Sequence, residues 1–178
     1  NVYVAGDSDG GPETSFDFAT IKYAPDGQEV WIRRYNGSGS GDDRPCGVAV
    51  DAAGNVHVAG ASSGGSATRT DFAVVVYAPD GTEQRVRRWD GPDSRDDIPR
   101  AIAVDGSGNV IVTGESLLAG NTSWGYATVK YAPDGAELWA RIFNGPEDEE
   151  DRPAAIAVGA AGNVHVTGTS VGASSGTN

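Results

Sequence analysis

Apolar residues along this chain come in short runs that alternate with polar or small ones, and each run is closed by turn residues rather than continued for the length of a helix. Residues 101–104 read Ala-Ile-Ala-Val, run into Asp-Gly-Ser-Gly, and are followed at 109–113 by Asn-Val-Ile-Val-Thr. This predicts a hairpin: the Asp bonds its own backbone two residues on, and Gly supplies the positive φ of a tight reversal. After a Gly/Ser-rich loop, residues 126–131 meet Ala-Pro-Asp-Gly, and 137–143 come back as a second hairpin. Pro at the second turn position followed by Asp-Gly fixes the bend there. The fourth strand stops at Asn144 and Gly145, and a polar linker leads to Pro153 and the next first strand.

The pattern recurs every 54 residues. Asn1, Asn55, Asn109 and Asn163 are in phase, as are Tyr23, Tyr77 and Tyr131, then Gly37, Gly91 and Gly145, then Pro45, Pro99 and Pro153. The units are 1–54, which opens on its second strand, 55–108 and 109–162, with 163–178 the start of a fourth that replays 1–16. Such a period marks a repeat architecture, in which a four-stranded sheet cannot cover both of its faces alone and must stack on its neighbours. Aromatic columns supply the bulk for stacking: Phe18, Phe72 and Tyr126 form one, Tyr35, Trp89 and Phe143 another, and Trp31 and Trp139 a third in which the middle copy has Arg85. Small residues fill the first strand, as the crowded inner rim of a radial array requires. The expected fold is all-β, with antiparallel four-stranded blades of a β-propeller, about three and part of a fourth.

The unit Asp-x-x-Gly-Asn-Val-(Tyr/His)-Val-x-Gly, then Asp-Phe-Ala-x-x-x-Tyr-Ala-Pro-Asp-Gly, then Trp-x-Arg-Arg-Tyr-Asn-Gly resembles the bacterial seven-bladed β-propeller repeat family known as SBBP, over the whole chain. The resemblance implies a propeller in a secreted or surface-attached prokaryotic protein, and it brings no catalytic motif to carry over. The departures are Arg85 for an aromatic, Gly159 for the Asp at Asp51 and Asp105, and Gly125 for Asp17 and Asp71.

Composition narrows the partners. With 26 Gly and 9 Pro a helix bundle is excluded, and a net charge of −12 repels nucleic acid and anionic lipid. No apolar run is long enough to span a bilayer, so no membrane insertion is expected. The single Cys allows no internal disulfide, and the absence of Met points to a processed product or a piece of something longer. On this reading the two ends are incomplete blades with unpaired edges, which predicts pairing with other propeller blades, by self-association of two copies through exchanged strands or within a longer parent chain.

Candidate chemistry lies mainly in the linkers, where Asp42 and Asp43, Asp96 and Asp97, and Glu150 and Asp151 stand side by side. Paired carboxylates with loop carbonyls suit Ca²⁺. Arg44 and Arg152 follow directly, however, and the favoured reading is an ion pair or a cap on loop amides, with no cofactor. The third linker extends its acids to Glu147, Asp148 and Glu149. Asp7, Ser8, Asp9 and Gly10 have the opening of a calcium loop but lack its closing bidentate acid. His57 and His165 share a slot with Tyr3 and Ile111, and Cys46 one with Arg100 and Ala154, so neither column is restricted to catalytic types. Asn36 and Asn121 open short glycan-acceptor motifs. Trp31, Trp124 and Trp139 offer stacking faces to a sugar. The expected function is a non-enzymatic propeller scaffold or binding segment, extracellular or at the cell surface. The alternatives are a glycan-binding, lectin-like propeller and part of a propeller enzyme with an axial site.

Overall fold

The computed structural model describes residues 1–11, 15–39, 41–64, 69–118, 123–145 and 150–171. Its elements are thirteen antiparallel strands in four sheets, with no helix among the described residues. The first sheet has three strands, β1 (Val2–Asp9), β2 (Phe16–Tyr23) and β3 (Glu29–Tyr35), in the order β1-β2-β3. The second sheet is β4 (Asp43–Val50), β5 (Val56–Ser63), β6 (Thr70–Tyr77) and β7 (Glu83–Trp89), in chain order. The third repeats it with β8 (Asp97–Val104), β9 (Val110–Leu117), β10 (Trp124–Tyr131) and β11 (Glu137–Phe143). A last pair, β12 (Arg152–Val158) and β13 (Val164–Thr169), forms a two-stranded sheet.

Both kinds of hairpin turn form where the Asp-Gly chemistry puts them. Gly27, Gly81 and Gly135 have φ of 86°, 86° and 87°, and the amide of each bonds the carbonyl of the Ala that opens the turn. In the other turn Asp51 accepts bonds from the amides of Ala53 and Asn55 and from the Asn55 side chain, and Asp105 does the same for Ser107 and Asn109. Where Gly159 replaces the acid, the backbone bonds of the turn persist, from Gly162 to Gly159 O at 2.8 Å and from Gly159 to Asn163 O at 2.9 Å. The carboxylate braces this bend without being needed to make it.

Two β-bulges recur in register. The first falls between Pro45 and Gly47, Pro99 and Ala101, and Pro153 and Ala155, so Cys46, Arg100 and Ala154 are the extra, unpaired residues. A bulged position faces no cross-strand partner, which explains why one column holds Cys, Arg and Ala. The second skips Val30, Gln84 and Leu138 near the start of each fourth strand. The exposure of Val30 and Leu138, 50% and 52%, follows from that placement.

Two core clusters fill the spaces between sheets. One is centred on Phe18, Trp31, Val56, Val58, Val75 and Tyr77, the other on Phe72, Val74, Trp89, Val112, Val129 and Tyr131. The column Gly60, Gly114 and Gly168 lets the sheets close. A Cβ at Gly60 would sit 2.4 Å from Phe18 Cζ of the preceding sheet, one at Gly114 2.7 Å from Phe72 Cζ, and one at Gly168 would overlap the Tyr126 hydroxyl. The first strands β4, β8 and β12 lie successively against one another, whereas the fourth strands β3, β7 and β11 make no comparable contact among the described residues. The sheets therefore converge along one edge and spread at the other.

Candidate functional site: linker carboxylates and sheet junctions

The two acids of each linker pair have different places. The second is buried at the start of a first strand and bonds back to the Asn/Asp-Gly turn that ends the preceding fourth strand. Asp43 accepts from the Gly37 amide at 2.5 Å and from Ser63 at 3.1 Å, Asp97 from Gly91 at 2.6 Å, and Asp151 from Gly145 in the same way. Exposure of these three side chains is about nil. The glycine is required because a Cβ at Gly37, Gly91 or Gly145 would stand within 3 Å of that carboxylate and of a serine hydroxyl, Ser62, Ser116 or Ser170. The first acid of each pair stays outside. Asp42 meets Arg44 at 3.0 Å and the Ser15 hydroxyl, Asp96 takes the Thr70 amide at 3.1 Å with Arg69 at 3.7 Å, and Glu150 meets Arg152 at 2.8 Å. The side-by-side acids thus diverge, one to a turn amide inside and the other to surface partners, instead of converging on one ion. Glu147, Asp148 and Glu149 lie outside the described residues, as do Asn121 and Thr122 of one glycan-acceptor motif.

The junction between the second and third sheets gathers carboxylates that are distant in sequence. Asp71, Asp90 and Asp97 bring one oxygen each within 4.8 Å of one another. The sequence signal was present in retrospect: position 90 is Asp where the other units have Asn36 and Asn144, and position 125 is Gly where this junction has Asp71. Arg88 neutralises part of the charge: its Nη2 donates to Asp71 at 2.8 Å and to the Ser62 carbonyl, and its Nη1 to the Ser62 hydroxyl. Burial, with Asp90 and Asp71 nearby, pushes the Asp97 carboxyl up to about 6, against the pull of Ser116 and the Gly91 amide. The three acids could hold a divalent cation, with Asp90 supplying the exposed oxygen.

Other titratable groups have structural settings. His57 is buried and meets Asp51 at 3.2 Å; burial lowers its pKa, and Asp51 only partly restores it. His165, in the same column, is exposed. Burial raises the Cys46 thiol to about 12, which leaves it a poor nucleophile. Asp105 feels burial pushing it up, but Lys130 at 2.8 Å, Asn109 and two amides hold it well below the ordinary carboxylate range.

Of the three tryptophans offered for sugar stacking, Trp31 is turned inward. It is 6% exposed, 5.9 Å from the Tyr77 ring, and donates to Pro79 O at 3.2 Å, so it has no open face. This corrects the expectation for that residue: its column packs sheet on sheet wherever a following sheet is present. Trp124 and Trp139 are half-buried. An open groove of about 450 Å³ runs between the second and third sheets, lined by Trp89, Asp90, Pro92, Ala140, Arg141 and Ile142.

Arginines missed in the sequence as junction formers hold the sheets together. Arg33 Nε donates to Gly81 O at 2.7 Å, and Arg87 Nε to Gly135 O at 2.8 Å. In both cases the fourth strand of one sheet grips the Pro-Asp-Gly turn of the next. The sequence shows Arg33, Arg87 and Arg141 one unit apart, but not that the partners of the first two are carbonyls instead of acids.

No family model matches the chain, and no curated protein does. Among solved structures it is similar to the crystal structure of a protein of unknown function from Bacteroides caccae, with a TM-score of 0.52 and 17% identity. The match covers 85% of this chain and 47% of that one, so the chain spans about half the length of that structure, and the likeness shows the fold alone.

Proposed function

We propose that the chain is a non-enzymatic β-propeller segment of the SBBP type, a scaffold or binding surface of a secreted or cell-surface prokaryotic protein. The observation that carries this reading is the use of the repeated polar residues. The buried acids cap Asn/Asp-Gly turns, the arginines of β3 and β7 grip the next turn, and the turn acids brace hairpins, so these columns are occupied by architecture. The convergence of β4, β8 and β12 supports a radial array of blades, in which each sheet is one blade. A screen of the purified chain against hydrolase and lyase substrates should give no turnover. Turnover abolished by removing Asp97 would support the axial-enzyme alternative instead.

A glycan-binding role is the second reading, favoured by the groove at Trp89, Asp90 and Arg141 and by the half-buried Trp139 and Trp124. Aromatic faces beside charged groups suit sugars. A glycan array decides between the two: binding lost in Trp139→Ala or Trp124→Ala, both half-buried positions, with unchanged circular dichroism supports a lectin-like segment, and an empty array supports the scaffold.

A further inference from the structure

The two internal junctions use one contact. Trp31 Nε1 and Arg33 Nε donate to Pro79 O and Gly81 O, at 3.2 and 2.7 Å; one unit on, Arg85 and Arg87 donate to Pro133 O and Gly135 O. A further unit on, Trp139 and Arg141 stand in the same columns, and among the described residues no turn lies in front of them. Among the described residues Arg141 bonds only the adjacent Ala140 carbonyl, and Phe143 beside it is 54% exposed. At the other end of the molecule the turn 24–27 has the Ala-Pro-Asp-Gly sequence of the two turns already held. No sheet of the chain covers it among the described residues: a Cβ at Gly27 would meet nothing within 4 Å, whereas one at Gly81 would meet Trp31 and Arg33 at 3.0 Å, and one at Gly135 Arg87 at 2.6 Å.

We infer that the third sheet receives the Pro25, Asp26 and Gly27 turn of a second copy of this chain, with Trp139 and Arg141 as its donors. The occupant is fixed by continuity with an interface formed twice within the chain, since donors and acceptors left over at the two ends are the same groups paired at both junctions. An open groove of about 350 Å³ beside Tyr126, Arg141, Phe143 and Val166 lies where the outer strands of a fourth sheet would run. Strands β12 and β13 fill the positions of that sheet's first two strands. The second copy's β1 has the same role as β13, because Val2 pairs with Tyr23 as Val56 does with Tyr77. Strand β13 yields: four of its six residues are exposed, while β1 is held by eight pairs to β2 and packs on β4. The product is a sheet β12-β1-β2-β3 with the order of β4-β5-β6-β7, and Gly6, open in the single chain, takes the place of Gly168 against Tyr126. Reciprocal docking of both ends closes a pair of chains without leaving a free face.

Light scattering on the 178-residue chain across a concentration series tests this. The expected mass is twice 18.3 kDa. Arg141→Glu, at an exposed position, and Gly6→Leu, which fills a notch open in the single chain, should each move the association midpoint at least tenfold upward, with unchanged circular dichroism. A chain that stays at the monomer mass at every concentration overturns the inference and leaves the face to a further unit of the same kind in cis. Association that persists unchanged in both folded variants overturns it too, because edge-to-edge strand pairing would then be the cause.

Discussion

The Phe72 ring of one sheet ends against Gly114 of the next, so closely that a Cβ on that glycine would lie 2.7 Å from Cζ, and 2.2 Å from the carbonyl oxygen of Ile98. Backbone on one side and a packed ring on the other leave no room to yield. Gly114→Ala is therefore expected to destabilise the chain by about 2 kcal/mol or more, the range for overpacking a filled core. Gly6→Ala, in the same column but with nothing within 4 Å, should change stability by less than about 0.5 kcal/mol at monomeric concentrations. Urea midpoints of the two variants check this, and equal losses would contradict it.

Asp97 makes stability depend on pH in a direction opposite to an ordinary salt-bridged carboxylate. Its folded pKa, about 6, stands above the ordinary aspartate value of 3.8, so the folded state holds the proton more tightly. The stability it contributes is present in full below pH 3.8 and is lost as pH rises to about 6. Asp97→Asn keeps an acceptor for the Gly91 amide and removes the charge. The variant should gain on the parent between pH 4 and 7, measured as the difference in melting temperature, and a difference constant with pH would refute the assignment. His57 acts in the opposite sense: its pKa is lowered, so its cost appears as pH falls below the ordinary histidine value.

The linker acids should not need calcium. Asp43, Asp97 and Asp151 are engaged with turn amides, and Asp42 and Glu150 with arginines. Micromolar Ca²⁺ is expected to leave the melting temperature unchanged. A rise of many degrees would assign the Asp71, Asp90 and Asp97 cluster to a metal, since a ligand that binds only the native state stabilises it by RT ln(1 + [L]/Kd).

Arg87 and Arg141 offer a matched pair. Arg87→Ala removes the donor to Gly135 O and should cost about 1 kcal/mol, the net worth of a hydrogen bond. Arg141→Ala should cost nothing measurable in the single chain, where only the Ala140 carbonyl is its partner among the described residues. Denaturant melts at concentrations below association compare them.

The turns and strands were legible because Asp-Gly and Pro-Asp-Gly specify local conformation and recur without insertion. The fate of each acid was not. Asp96 and Asp97 read as one pair, but Asp97 opens β8 and turns inward to the Gly91 amide while Asp96, still in the linker, turns outward to that of Thr70. Trp31 read both as packing bulk and as a stacking face for a sugar, and Arg85 as a departure from its column; the reason both residues fit is that each donates to the next turn's Pro carbonyl, an acceptor no composition reveals. The bulge at Cys46 was hidden for a similar reason, since an unpaired position leaves only tolerance as its trace.

The proposed blade arrangement rests on sheets that converge at their first strands and spread at their fourth. Ala53 and Ser107 lie in exposed turns after β4 and β8; Gln84 and Leu138 are the bulged residues of β7 and β11 on the same end of the sheets, where a Cβ at Gly54 would lie 3.3 Å from Pro79. Spin labels at these two pairs, in a Cys46→Ala background diluted with unlabelled chain, report both separations by pulsed electron paramagnetic resonance. Sheets that converge at their first strands give a clearly longer distance for Gln84 and Leu138 than for Ala53 and Ser107. Equal distances would mean sheets stacked in parallel, and would contradict a propeller.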